Sequence, residues 1–473
     1  MLFNTLDFAV FFPLVLLLYW TVFNRTIKLQ NIFLVVVSYI FYSFWDWRFL
    51  SLIFASSLVD YFVGQQLALS SKKSHRKLLL MVSLLFNLGL LFTFKYFNFF
   101  VETFVDAFSI FGTRFNFESW QILLPVGISF YTFQTLSYTI DIYRKQIEPT
   151  RDPVAFFAFV SFFPQLVAGP IERASNLLPQ FFVERKFDYH KSVTGLRLIL
   201  GGLFKKMVIA DNCALYVNSI FENYDTASGS TLFMGAVFFA FQIYGDFSGY
   251  SDIAIGSARI MGFDLMKNFN YPYLAQNLSD FWHRWHISLS TWFRDYVYIP
   301  LGGSRVSRPR LIVNVLIVFL VSGLWHGANL TFVFWGFVHA LFVLPVILFI
   351  KKETKFRKNK FLPSLREVFN ITATFIVVVL AWVFFRAETI TDAFAYLDIV
   401  FSSTLFTMPN VSRLSVLLLF LYMVLEWIQR NRDHVLDLEA VSNKYVRYTI
   451  YYAVVFSIFY FAGDLQPFIY FQF

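Results

Sequence analysis

Helix-length apolar runs recur along the whole chain, separated by short polar breaks. They lie near 8–23, 30–45, 49–68, 78–100, 121–140, 153–169, 193–222, 231–262, 311–326, 331–350, 367–386, 390–407, 413–428 and 446–463. Most approach the roughly 20 residues that cross a hydrocarbon core, and none shows the alternating ten-residue segments of an outer-membrane barrel. Some are short or polar enough to be re-entrant, so about 11 to 13 true spans are expected. The pattern predicts an all-α polytopic membrane protein. The opening run, MLFNTLDFAVFFPLVLLLYW, lacks a basic n-region and a small-residue cleavage site, so it reads as a first span and not a removable signal. No period of repeat lengths appears, and no soluble domain or long linker interrupts the runs. Residues 1–473 are therefore expected to form a single membrane domain with an aromatic tail at 467–473.

Composition agrees with this picture. The chain is 58% hydrophobic, with 65 phenylalanines. Only 15% of its residues are charged, against roughly 25% in a soluble domain. The net charge of +9 does not point to nucleic acid, because the basic residues sit in short loops where they set membrane orientation. Arg25 and Lys28 follow the first run, Lys72, Lys73, Arg76 and Lys77 the third, and Arg144, Lys145 and Arg151 the fifth. The basic stretch Lys351–Lys360 and the pair Arg430 and Arg432 mark further cytoplasmic loops. This alternation puts the N-terminus and the tail on the outer side. The single cysteine, Cys213, excludes an internal disulfide and a cysteine-based metal cage, and has no histidine neighbour to make it a nucleophile.

Chemistry concentrates between Tyr244 and Asn329, which carry His283, His286 and His326, three of the seven histidines. Ionisable groups at membrane depth are rare and need partners, so such a stretch is a candidate site by default. If FWHRWH is helical, His283 and His286 share a face. No Glu or Cys completes a metal-ligand set beside them, so no metal is expected. His283 fits an interfacial anchor together with the neighbouring Trp and Arg, and His286 leans towards function. In SGLWHGAN, His326 ends an apolar run between Gly323 and Gly327, with Trp325 and Asn329 adjacent. A buried neutral imidazole there suits general-base work. Asp246 and Asp252 stand six apart on one run and do not form a facing pair; packing through Gly245 and Gly249 is an equal reading of YGDFSGYSD. Gln134, Tyr138 and Asp141 fall on one helical face, as a polar tunnel lining or as interhelical glue. Glu172 and Arg173, after the break Gly169-Pro170, read as a helix-end feature.

At these residues the chain resembles the membrane-bound O-acyltransferase (MBOAT) family, in the bacterial branch of alginate O-acetylation and teichoic acid D-alanyl transfer. The matching blocks are LPVGISFYTFQTLSYTIDIYR (124–144), FFPQLVAGPIER (162–173), QIYGDFSGYSDIAIGSARIMG (242–262), FNYPYLAQNLSDFWHRWHISLSTWFRDYVYIPLGGSR (269–305), LVSGLWHGANLTFVFWG (320–336) and PFIYFQF (467–473). The resemblance implies helices in a ring around a transmembrane tunnel, with His326 as the catalytic histidine and His286 as the second active-site position. Gln134, Asp141, Asp246, Trp325 and Asn329 are candidates for lining that tunnel or the substrate site. No bound cofactor is implied. A cytosolic thioester, for which acetyl-CoA is the expected donor, would supply an acyl group that leaves on the outer side for an exported polysaccharide, alginate-like or another cell-envelope glycan. Phe468, Tyr470 and Phe473 repeat the F-x-Y-x-x-F ending of a small partner protein of the D-alanyl system, which makes Tyr470 a candidate acyl relay to an extracytoplasmic SGNH-type acetyltransferase; an aromatic interfacial anchor is the plainer reading. The implied location is a bacterial inner membrane. The rival class is a transporter or flippase using the same tunnel without chemistry, which predicts inverted repeats.

Overall fold

A computed structural model describes residues 1–109, 122–167, 169–349, 362–463 and 466–469. The basic stretch Lys351–Lys360 and Tyr470 lie outside the described residues. Within them there are helices and no strands. Six helical segments among the described residues are long and apolar enough to cross a bilayer: Ile27–Leu69, Lys73–Val105, Gly229–Ile260, Arg308–His326, Leu330–Phe349 and Leu365–Arg386, with Leu6–Thr21 and Pro153–Leu166 as shorter apolar helices. The chain is thus an all-α multi-pass membrane protein. Two expected runs differ in detail. Residues 193–222 are divided by a π-helical stretch, and 390–407 yields the 11-residue helix Ile390–Val400 and the short 3₁₀ turn Ser403–Phe406.

The chain falls into two units, Met1–Gly195 with Ser257–Met266, and Leu196–Gly256 with Lys267–Phe473. The first contains α1 (Leu6–Thr21), α2 (Ile27–Asp46), α3 (Leu50–Leu69), α4 (Lys73–Leu91), α5 (Phe97–Ser109), α6 (Ile128–Tyr143) and α7 (Pro153–Ser161). Side-chain oxygens of Thr5, Thr26 and Asp152 accept from the first free amides of α1, α2 and α7, which fixes where these helices start. Large apolar side chains such as Phe44, Phe62, Leu85 and Phe104 remain exposed, as lipid-facing positions do. The polar groups turn inward instead. Asp60 of α3 is fully buried and accepts from Asn87 Nδ2 at 2.8 Å, Thr139 Oγ1 at 3.1 Å and the Ser83 hydroxyl, so α3, α4 and α6 are tied at one point.

The second unit is built on α8 (Asp211–Glu222), α9 (Gly229–Ile260), α10 (Leu278–Arg284), α11 (Ile287–Phe293), α12 (Arg308–His326), α13 (Leu330–Phe349), α14 (Leu365–Arg386), α15 (Arg413–Gln429) and α16 (Lys444–Phe461). Helix α9 is 32 residues long and mostly buried. Its Gly245 and Gly249 let the 202–206 backbone approach: a Cβ on Gly249 would come within 2.7 Å of Gly202 O. Helices α12 and α13 pack equally closely, because a Cβ at Gly323 would collide with the Phe332 carbonyl and one at Gly336 with the Phe319 carbonyl.

Candidate active site

The histidine-bearing segment is not one helix. Helix α10 starts on Asn277, whose side chain accepts from Asp280 N, and ends at Arg284. His286 then adopts φ +43° and ψ +55°, and α11 begins at Ile287. This overturns the shared face expected for His283 and His286. His283 is exposed and its Nδ1 donates to Ser279 O at 2.6 Å, whereas His286 is fully buried. Left-handed backbone at a histidine is strained unless its surroundings enforce it. Here an extended strand of chain clasps both sides of the kink: Asn270 N donates to Arg284 O and Ile287 N to Asn268 O, both at 2.9 Å. The Asn268 side chain adds three bonds, accepting from Ser288 N and Ser288 Oγ and donating to Ser251 Oγ of α9. The kink carries the His286 ring into the core.

His326 arrives from a different element. It is the last residue of α12, and the extended Gly327 that follows lies against the Phe332 ring, where a Cβ would collide. Its ring is 2% exposed as a residue and packs at 5.0 Å on Trp325, 5.2 Å on Trp335 and 5.3 Å on Phe385. The His286 ring meets Phe247 edge-on at 4.6 Å and Trp325 at 5.9 Å. The two imidazole centroids are 6.5 Å apart and tilted by 56°. An oxygen hydrogen-bonded to both rings needs about 2.6–3.2 Å to each nitrogen, which this spacing accommodates. Burial holds the His286 imidazole neutral, its pKa down to about 3.

Trp285, Trp335 and Trp382 are fully buried around the pair and exclude water. Beside the end of α12, a cavity of about 320 Å³ is lined by Phe221, Glu222, Tyr224, Arg386, Glu388 and Asp392. Arg386 follows the Phe385 that touches His326.

The remaining predicted residues divide. Trp325 is in ring contact with both histidines. Asn329 bonds Glu388 O at 3.0 Å and accepts from Thr331 N, closing the turn into α13. Asp246 pairs with Lys206 at 2.9 Å. Gln134 and Asp141 belong to the other unit; Gln134 donates to Phe159 O at 2.7 Å and accepts from Gln165, which is the gluing arrangement. Glu172 accepts from Asn176 Nδ2 at 2.7 Å and from Met266 N, a structural tie. Among the described residues no group of three His, Cys, Asp or Glu is placed to hold a metal ion.

Several buried polar residues escaped the sequence reading. Lys205 bonds Asp252 at 2.8 Å, and Lys206 bonds both Asp246 and Asp211, the latter at 2.7 Å. Glu426, fully buried, accepts from Tyr244 OH at 2.5 Å and Tyr422 OH at 2.7 Å. His339 is buried in a cage of Trp282, Trp335 and Phe319. Two adjacent lysines inside an apolar run were the available signal for the first cluster.

The described residues form a multi-span helical membrane protein with two buried imidazoles 6.5 Å apart. The chain belongs to the membrane-bound O-acyltransferase family, MBOAT, whose model matches residues 39–352. It is 37% identical over 405 residues to the probable alginate O-acetylase of Pseudomonas aeruginosa, covering 85% of this chain and 75% of that protein. It is 35% identical over 422 residues to the peptidoglycan O-acetyltransferase of Helicobacter pylori, covering 83% of this chain and 78% of that one. To the teichoic acid D-alanyltransferase of Bacillus subtilis it is 29% identical over 276 residues, covering 56% of this chain and 69% of the relative. The protein is an O-acyltransferase, and the transporter reading is set aside.

Proposed function

We propose that this protein takes an acetyl group from a cytosolic thioester, acetyl-CoA, and passes it across a bacterial inner membrane for O-acetylation of an exported polysaccharide. The observation that carries the reading is the buried pair His286 and His326 at 6.5 Å between ring centroids. A protonated alcohol is a poor nucleophile, so it needs a base. His326 takes the hydroxyl proton as the oxygen attacks the thioester carbonyl. His286, neutral through burial, donates its N–H to the oxyanion that forms. The C–S bond then breaks, and the imidazolium of His326 returns the proton to the departing thiolate. Charge, protons and the acyl group all balance, and no resident cofactor is needed.

The hydroxyl that receives the acetyl group in this scheme is that of Tyr470, which hands it on to an extracytoplasmic SGNH-type acetyltransferase. The motif around Phe468 and Phe473 supports this, as do relatives named for modifying alginate, peptidoglycan and teichoic acid. Of the expected lining residues, Trp325 has the strongest claim to the substrate site, being in ring contact with both histidines. Glycan acetylation by cells carrying His326→Ala tests the whole reading. A loss of about 10²–10⁴ in transfer rate with normal membrane insertion is expected. Unchanged acetylation would sink it.

A further inference from the structure

The tail enters the core of the second unit at Phe468 and Ile469, after a half-buried Gln466 and an exposed Pro467, and two bonds to its main chain hold it. Ile469 N donates to Asp246 Oδ2 at 2.7 Å, and Lys206 Nζ donates to Gln466 O at 3.1 Å. Phe468 is fully buried, its ring 4.3 Å from Tyr250 and 6.1 Å from Phe247. Phe247 is the ring that meets His286 at 4.6 Å. One aromatic layer therefore separates residue 468 from the second active-site histidine.

The partners of these bonds are costly to build. Lys206 is 1% and Asp246 2% exposed. Lys206 reaches the core because Phe204–Ala210 is π-helical, a widening that turns the adjacent Lys205 and Lys206 inward together. An ion pair between Lys206 and Asp246 would by itself tie this stretch to α9, a structural role. The tail bonds exceed that role. Residues 466–469 are not α-helical, so the main-chain groups that enter the core at Phe468 and Ile469 need partners from elsewhere. The Lys206 ammonium and the Asp246 carboxylate supply one donor and one acceptor, three residues apart. The grip is on backbone, while Phe468 in its aromatic slot sets the register.

We infer that the Lys206–Asp246–Asp211 cluster is the seat of the C-terminal tail, a positioning device that holds residues 466–469 one aromatic layer from His286. This deepens the relay reading and rests on it for its purpose, but the seat itself is measurable without any acyl transfer.

The test uses full-length protein in membranes, with Cys213→Ala and Ile469→Cys, since the Ile469 side chain is 1% exposed when seated. Labelling of the introduced thiol by N-ethylmaleimide reports the seat. Asp246→Leu should raise the labelling rate by about tenfold or more, the change expected when a local opening loses roughly one strong bond. Phe468→Ala, which leaves every buried charge in place, should do the same and guards against misfolding of the first variant. Unchanged labelling in both overturns the seat. Acetyl transfer from acetyl-CoA should fall about a hundredfold in both variants, as for a misplaced reacting group, with the donor concentration at half-maximal rate unchanged. Raised labelling with full transfer overturns the positioning role. Tyr470→Phe separates the two ideas: retained transfer there removes the relay and with it the purpose of the seat, while the labelling result still decides whether the seat exists.

Discussion

Asp60 and Asp246 are both fully buried carboxylates on apolar helices, one in each unit. Their partners differ in kind. Asp60 takes neutral donors from Ser83, Asn87 and Thr139, all on neighbouring helices. Asp246 takes a cation, Lys206, and a non-helical main-chain amide from the tail. The first arrangement joins helices, as polar side chains do where lipid offers no partners. The second is directed at a segment that must be gripped, and it lies one ring from the histidine pair. A buried acid in a membrane helix is thus not a sign of function by itself; the character of its partners decides.

That comparison can be broken or sharpened by measurement. The largest effect is expected at the chemistry: His326→Ala should cost about 10²–10⁴ in transfer rate, read as acetate released from glycan per unit of inserted protein. Asp60→Ala should do the reverse of this. It removes the acceptor that Ser83, Asn87 and Thr139 share and should lower the unfolding free energy by about 3 kcal/mol, seen as a lower thermal midpoint in detergent, while the rate per folded molecule stays unchanged. A lost rate at full folding would erase the distinction between the two acids. Asn268→Ala should be intermediate, costing about 1–3 kcal/mol and slowing transfer together, because the same side chain closes the kink and aims His286. A stable variant with full rate would show that the left-handed turn holds itself.

The last effect concerns pH. His286 is held neutral down to about 3 in the folded protein, against an ordinary 6.5 when exposed. Below pH 6.5 the unfolded chain therefore binds a proton that the folded one refuses, and stability falls by about 1.4 kcal/mol per pH unit until the folded group titrates too. His286→Gln should flatten this loss, with thermal midpoints at pH 6.5 and pH 4.5 drawing closer. An unaltered slope would place the acid sensitivity elsewhere.

Much of the site was legible because motif and residue type carry it. The WHG turn at His326 needs Gly323 and Gly327 for close packing, and both stand in the sequence beside it. His286 stands out in the sequence as a candidate, but the face it would share with His283 on a continuous helix does not form, because Asn268 folds the segment into a kink. Nothing local in FWHRWH announces that turn; its cause lies 18 residues upstream. Lys205 and Lys206 were passed over inside an apolar run, and their partners on α9 are some 40 residues away.

By itself the sequence determined the membrane, the helices and the family, since these follow from hydropathy, helix-length runs and short blocks of fixed order. Only the tertiary structure decided which histidine points inward, that Gln134 bonds within its own unit, and that residues 466–469 are seated by Asp246 and Lys206. The physical reason is the same in each case. A buried polar group is defined by the donor or acceptor that reaches it, and in these helices that partner comes from a distant part of the chain.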